Sequence, residues 1–508
     1  MAAFKSHNHL SALSLFTICL LTTTASANPH VQATQNWLNH GGDLYNRRYA
    51  NKETKINPKT VSNLSLKWEF YAGRDITATP AIYDGTLYFP CWNGFIYAVK
   101  ASDGSLVWEK NLETLTGVNT TGRVTNVNTT VSRSTPTISG DLLIVGIYGP
   151  ALVIAVERWT GKLVWSTLLD RHSASVVTMS GTYYNGSYYV GTSCKIRCRP
   201  MALPDNHETT GLYSGAAIWG SSPSIDVHRR HVYIANGNVY SVPENVSQCQ
   251  ENQNNSTVPT RPDACVEPEN HGNSILALDL DGGDIKWYHQ LGGYDVWFVA
   301  CLLDPSTCPT GPNIDADFGE MLRTYVNGTK RDIVVAVQKS GFAWALDRNN
   351  GSLVWSTEAG PGGIRGGGTW GAATDNKIVY TNIANSDGKN FTLKPSNNIT
   401  TAGGWVAIDP RTGRTLWSTA DPSNATSSGP VSVANGVLFT GSTNQTGPIY
   451  AIDTENGETL WSYDTGATVY GGLSISNGCI YVGNGYAVNI GSFSPFNPGT
   501  SLYAFCIT

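Results

Sequence analysis

Apolar and polar positions alternate in short runs along this chain, and the runs recur in one fixed arrangement. Ala, then Gly six residues on, then Trp four further appears as Ala98/Gly104/Trp108, Ala155/Gly161/Trp165, Ala277/Gly283/Trp287, Ala345/Gly351/Trp355, Ala407/Gly413/Trp417 and Ala451/Gly457/Trp461. Each copy reads as an apolar strand (IYAV, VIAV, ILAL, AWAL, WVAI, IYAI), a tight turn on the glycine, and a second strand ending in Trp. Units of this length cannot bury an apolar face alone, and sheets recurring at this period stack radially as a propeller.

Each copy should follow an inner hairpin, two short apolar runs around a polar turn. Eight are read: ATPAIYDGTLYFP, STPTISGDLLIVG, VTMSGTYYNGSYYVG, SSPSIDVHRRHVYIA, residues 331–342, GAATDNKIVYTN, GPVSVANGVLFTG and GGLSISNGCIYVG. The expected fold is therefore an all-β, eight-bladed β-propeller. The last hairpin leads into LYAF, whose Ala504 opens a repeat that lacks its Trp strand, and LSLKW, ending at Trp68, supplies that strand. The N- and C-terminal strands then close the ring without leaving a sheet edge. Between the hairpin at 177–191 and the next at Ser221 no Ala-Gly-Trp unit occurs, so the third blade is expected to be degenerate.

Composition agrees with many short strands and little helix: 53 Gly, 24 Tyr and 15 Trp in 508 residues, with 14% charged. A single propeller domain over 28–508 accounts for the length. The net charge of -5 carries no basic stripe, which argues against nucleic acid as a partner. Lys5, the apolar run 10–21 and Ala25-Ser26-Ala27 read as a signal peptide over 1–27, and no later segment is apolar enough for a membrane span. The expectation is a secreted protein, in the apoplast or cell wall, or one held in a secretory compartment such as the vacuole. Asn-x-Ser/Thr sequons, among them Asn63, Asn119, Asn185, Asn327, Asn398 and Asn444, fit a glycoprotein. Export also fits disulfides, with Cys479–Cys506, Cys249–Cys265 and Cys301–Cys308 the expected pairs, Cys194–Cys198 a tighter one, and Cys91 left as a free thiol.

Propellers place their chemistry where loops converge at the mouth of the central channel. Asn238, in Tyr233-Ile-Ala-Asn-Gly-Asn238, leaves an inner strand on a glycine turn and offers a neutral oxygen to a hard cation, though Asn-Gly-Asn is also an ordinary turn. Asp295, between Tyr294 and Trp297, has the aromatic cover of a general base and equally the setting of a turn aspartate. Lys339 follows Gln338 in a turn and could neutralise an anionic ligand or remain solvated. Trp219 and Trp370 lie outside the repeat and are candidates to stack on a flat ligand or to pack. No haem-attachment, zinc-protease, nucleophile-elbow or phosphate-loop motif is present.

These segments, together with Asn39-His-Gly-Gly-Asp43 and Asn46-Arg-Arg-Tyr49, AIWGSSPSID, YIANGN, YDVW and VQKSGFAWALDRNNG, make the chain resemble the quinoprotein dehydrogenase propellers, and among them the plant proteins similar to polyvinyl-alcohol dehydrogenase. The resemblance implies pyrroloquinoline quinone (PQQ) bound with Ca2+ in the channel, a small alcohol as substrate and an external electron acceptor. It implies Trp219 beneath the quinone, Asn238 and Asp295 as metal ligands, Asp295 as catalytic base, and Lys339 near the quinone oxygens; Trp370, by its place outside the repeat, is a further candidate cofactor contact. The chain departs from the family at 190–207, where a carboxylate metal ligand, an adjacent Cys-Cys pair and an Arg are missing. Two other readings stay open: a secreted propeller that binds a small molecule or glycan without PQQ, and an enzyme of specialised metabolism using Asp295 as acid and base.

Overall fold

The computed structural model describes residues 2–5, 35–120, 126–172, 174–194, 213–220, 222–253, 265, 267, 269–291, 318–325, 332–363, 366–488, 492 and 494–508. The repeat becomes a register. Ala98 pairs across the sheet with Trp108, Ala155 with Trp165, Ala277 with Trp287, Ala345 with Trp355, Ala407 with Trp417, Ala451 with Trp461 and Ala504 with Trp68. A residue without bulk opposite each Trp lets the indole lean out of its own sheet toward the next. In five of the seven the indole there meets the glycine turn of the following repeat. A Cβ added to Gly104 would lie 2.8 Å from Trp68, one on Gly161 2.8 Å from Trp108, and one on Gly351 2.4 Å from Trp287. The indole N–H of each of these Trp residues donates to a carbonyl in that turn: Ala101 at 3.0 Å, Arg158 at 2.9 Å and Arg348 at 3.2 Å. All three glycines have positive φ, so the turn and the docking surface depend on the same missing side chain.

Seven four-stranded blades result among the described residues. The first runs from Ala81–Tyr83 to Leu106–Asn111, the second from Thr137–Ser139 to Leu163–Leu168, and the third from Ser224–Asp226 to Ile285–Gln290. The fourth spans Phe318–Tyr325 to Leu353–Glu358, the fifth Ala373–Thr374 to Thr415–Ala420, and the sixth Ser432–Ala434 to Thr459–Asp464. The seventh joins Ser474–Ser476, Cys479–Gly483 and Ser501–Ile507 to Leu64–Tyr71 from the other end of the chain.

The expected count of eight blades is thus corrected to seven. The hairpin taken as a blade of its own, Thr182–Tyr184 with Ser187–Val190, has no outer strand pair among the described residues, and its third strand is Ala2–Lys5. A hairpin pattern is local, whereas a blade also needs an outer strand pair from further along the chain. This hairpin is wedged between the second and third blades, where Tyr188, Tyr189 and Val190 pack with Val153 on one side and Val232 and Leu276 on the other. A second correction concerns 331–342: the strand Asp332–Gln338 pairs with Phe318–Tyr325, so that hairpin begins earlier than the apolar pattern suggested.

A strap, residues 35–50, runs along the innermost strands. Ser476 and Asn477 of the seventh blade bond Gln35, Trp37 pairs with Ile82, and Ile138 donates to the Leu38 carbonyl at 2.8 Å. Ile225 then donates to Leu44, Thr374 to Arg47, and Val433 to Arg48. One stretch of chain therefore ties six of the seven blades together at the axis.

The disulfides Cys249–Cys265 and Cys479–Cys506 form as expected, and Cys91 is a free, buried thiol whose pKa burial raises to about 12. The Cys301–Cys308 and Cys194–Cys198 pairs fall outside the described side chains. No helix among the described residues is long and apolar enough to cross a membrane.

Candidate functional site

In a blade's inner hairpin, the chain enters the innermost strand and leaves the second at the same end. Arg133, Trp219, Trp370 and Tyr470 precede innermost strands, while Trp92, Tyr148, Asn238, Lys339 and Tyr486 follow second strands. All nine therefore belong to one mouth of the ring.

Trp219 and Asn238 are joined through backbone. Ala216 donates to the Asn238 carbonyl at 2.7 Å, and Gly237 donates to Ala217 at 2.8 Å. Thr178, ahead of the hairpin Thr182–Val190, holds the Trp219 carbonyl at 2.6 Å. Asn238 is buried, with its amide nitrogen donating to the Val239 carbonyl at 2.9 Å, so ligation of a cation would fall to Oδ1. Gly220 carries the segment on to Trp370, where an added Cβ would lie 2.8 Å from that residue's own Cβ.

Lys339 reaches Trp370 from the other side. Its carbonyl accepts N–H from Gly367 at 2.7 Å and Gly363 at 3.3 Å, so the glycine-rich stretch leading to Trp370 lies against the Lys339 turn. At Gly368 a Cβ would fall 2.0 Å from Val337, which is why the approach needs glycine there. Four of the candidates, Asn238, Trp219, Trp370 and Lys339, are thus brought together by two short segments. Asp295 lies outside the described residues. The last one before it, Leu291, donates to Asn273, which in turn donates to Gly237 beside Asn238.

No motif marks the group that faces Trp370. Arg133 is buried, with its guanidinium 5.5 Å from the Trp370 ring and 5.8 Å from that of Tyr486, whose hydroxyl it meets at 3.4 Å. Tyr470 stacks obliquely on Trp370 at 5.2 Å and on Tyr486 at 4.3 Å, and Trp92 lies against Tyr148 and Tyr486. Burial raises the pKa of Tyr486, so its phenol stays neutral beside a permanent cation. The indole nitrogen of Trp370 is buried with no hydrogen-bond partner among the described residues. A buried donor left open beside a buried guanidinium is the arrangement that an anionic, flat ligand would complete. The signal that was available is positional, since Arg133 precedes an inner strand just as Trp219 and Trp370 do.

The described residues do less for a cation. None of them forms a group of three or more His, Cys, Asp or Glu suited to a metal, which leaves the neutral oxygen of Asn238.

A family profile described as outer membrane protein assembly factor BamB matches residues 32–187 and 402–497. The chain is 25% identical over 524 residues to a polyvinylalcohol dehydrogenase of Sphingopyxis sp. (strain 113P3), covering 90% of this chain and 73% of that protein. It is 22% identical over 554 residues to quinohemoprotein alcohol dehydrogenase ADH IIB of Pseudomonas putida, covering 89% and 74%. Among solved structures, quinohemoprotein alcohol dehydrogenase from Comamonas testosteroni superposes with a TM-score of 0.68 at 17% identity, over 94% of this chain and 81% of that one. A europium-containing methanol dehydrogenase gives 0.67 at 16%, over 93% and 98%. The structural matches speak for the fold, the sequence matches for kinship, and together they make the chain similar to the quinoprotein alcohol dehydrogenase-like propellers.

Proposed function

We propose that the protein is a secreted oxidoreductase that oxidises an alcohol, with PQQ at this mouth and Ca2+ beside it. The observation that carries the reading is the buried Arg133 beside the open indole N–H of Trp370, a cationic aromatic niche suited to a flat polycarboxylate. PQQ when bound would supply the electron acceptor. Arg133 would pair with a carboxylate, Trp370 would donate its indole N–H, Trp219 would cover a ring face, and Lys339 would add a second positive charge. Asn238 Oδ1 and Asp295 would serve the cation, and the Asp295 carboxylate would take the hydroxyl proton of the alcohol. The alcohol is a small molecule, and electrons leave to an external acceptor.

Binding without redox chemistry is the second reading. The sparse cation set among the described residues favours it. One experiment separates the two: the purified protein is given PQQ and Ca2+, and dye-linked alcohol oxidation is followed together with the absorbance of bound quinone. Bound quinone with turnover is expected, and Asp295→Asn should keep the quinone and lose the turnover. Absence of bound quinone would overturn the proposal.

A further inference from the structure

The chemistry proposed above makes no use of the motifs Asn39-His-Gly-Gly-Asp43 and Asn46-Arg-Arg-Tyr49, yet they reach its site. Arg48 is fully buried at the axis and donates to the carbonyls of Val431 and His40, each at 2.6 Å, and to Ser432 Oγ at 3.0 Å. Gly472 leaves it room, since a Cβ there would lie 2.3 Å from the guanidinium. The same guanidinium stands 3.0 Å from His40 Nε2. A guanidinium only donates, so Nε2 accepts and the proton of the neutral ring is assigned to Nδ1. Nδ1 faces the hydroxyls of Thr135 and Thr79, both at 3.4 Å. With both ring nitrogens engaged the imidazole is fixed in its plane, and that plane lies 18° from Trp370 with centroids 5.6 Å apart.

Trp370 is thereby held by four neighbours: the imidazole stacks on its ring, Tyr470 leans against it, the Arg133 guanidinium lies over it, and Gly220 meets its Cβ. Of these, only the imidazole is tied by Arg48 to the blades at the axis. We propose that His40 is a positioning residue: Arg48 sets its tautomer, and its ring sets the orientation in which Trp370 meets a flat anionic ligand. The clause about the ligand rests on the proposed function, whereas the clause about Trp370 does not.

The test uses the full chain with His40→Ala, His40→Gln, His40→Phe and Trp370→Phe. In the ligand-free protein, the difference in near-ultraviolet circular dichroism between wild type and Trp370→Phe defines the Trp370 signal. That signal is expected to disappear in His40→Ala and His40→Gln and to return in His40→Phe, which restores a stacking ring. In PQQ titrations read by tryptophan quenching, His40→Ala is expected to bind about five- to tenfold more weakly, the worth of one aromatic pair, with His40→Phe close to wild type. An unchanged Trp370 signal in His40→Ala or His40→Gln overturns the proposal, and so does a His40→Phe no better than His40→Ala. A wild type that binds no PQQ overturns the proposed function instead, and the dichroism still decides the role of His40.

Discussion

Trp355 and Trp165 hold the same place in the repeat and meet different surroundings. Trp355 is 8% exposed, lies on Gly413 and donates its indole N–H to Pro410 at 2.8 Å. Trp165 is half-buried, and among the described glycines none has it as a neighbour. The complementary defect appears across the gap, where a Cβ on Gly283 would meet nothing within 4 Å. A docking Trp and a receiving turn each survive, but among the described residues no outer strand pair stands between them. The ring is locked by indoles elsewhere and bridged at this one place by the hairpin Thr182–Val190. The same place adjoins Trp219 and Asn238, so the least regular part of the scaffold borders the candidate site.

The largest expected difference comes from the indoles themselves. Trp355→Ala should cost about 3–5 kcal/mol of unfolding free energy, and Trp165→Ala roughly half of that, because less of its surface leaves water. Equal losses in denaturant titrations would contradict unequal docking.

The receiving turns give a smaller but better controlled contrast. Gly351 and Gly283 have φ of 72° and 79°, so an Ala at either position carries the same left-handed penalty, about 1–2 kcal/mol. Only at Gly351 does the new methyl also strike an indole, 2.4 Å from Trp287, which should add about 1–3 kcal/mol. Gly351→Ala should therefore melt below Gly283→Ala, and the same melting temperature for both would show that the glycines serve the turn alone.

Acidification should find the third blade first. His231, His271 and His289 all belong to it or to its approach, and burial lowers the pKa of each below the ordinary 6.5. Folding then favours the neutral rings, so the unfolded chain binds more protons as the pH falls. Their contribution is complete above 6.5 and is lost as the pH drops through the lowered values. Hydrogen exchange at pH 5.5 against 7.5, values chosen to bracket about one unit each side of free imidazole, should show Ser274–Asp279 losing protection before Phe342–Asp347. Uniform loss across blades would remove these histidines from the account.

Much of the scaffold was legible because its grammar is local. Ala, Gly and Trp at fixed spacing encode a register, a positive-φ turn and a docking indole, and closure through Trp68 and Ala504 followed from one incomplete copy. The blade count was not legible, since the hairpin at 177–191 has the pattern of a blade and lacks only what lies outside it. The strap was also hidden, because its bonds to Ile138, Ile225, Thr374 and Val433 join positions far apart in sequence and use backbone atoms that carry no residue code. Within the site, Asn238 and Lys339 are marked by their place at strand ends and Trp219 and Trp370 by lying outside the repeat, whereas VSRSTPT has no motif to mark Arg133.

The central claim is that this mouth is a ligand site built around Arg133 and Trp370. Its most direct measurement is an equilibrium titration with PQQ, read by tryptophan fluorescence, of the wild type and of Arg133→Met, which keeps the bulk and removes the charge. Saturable quenching is expected in the wild type, and a loss of about ten- to a hundredfold in affinity in Arg133→Met, the worth of one buried charge-assisted hydrogen bond. Saturable quenching of equal affinity in both proteins, or none in the wild type, would contradict it.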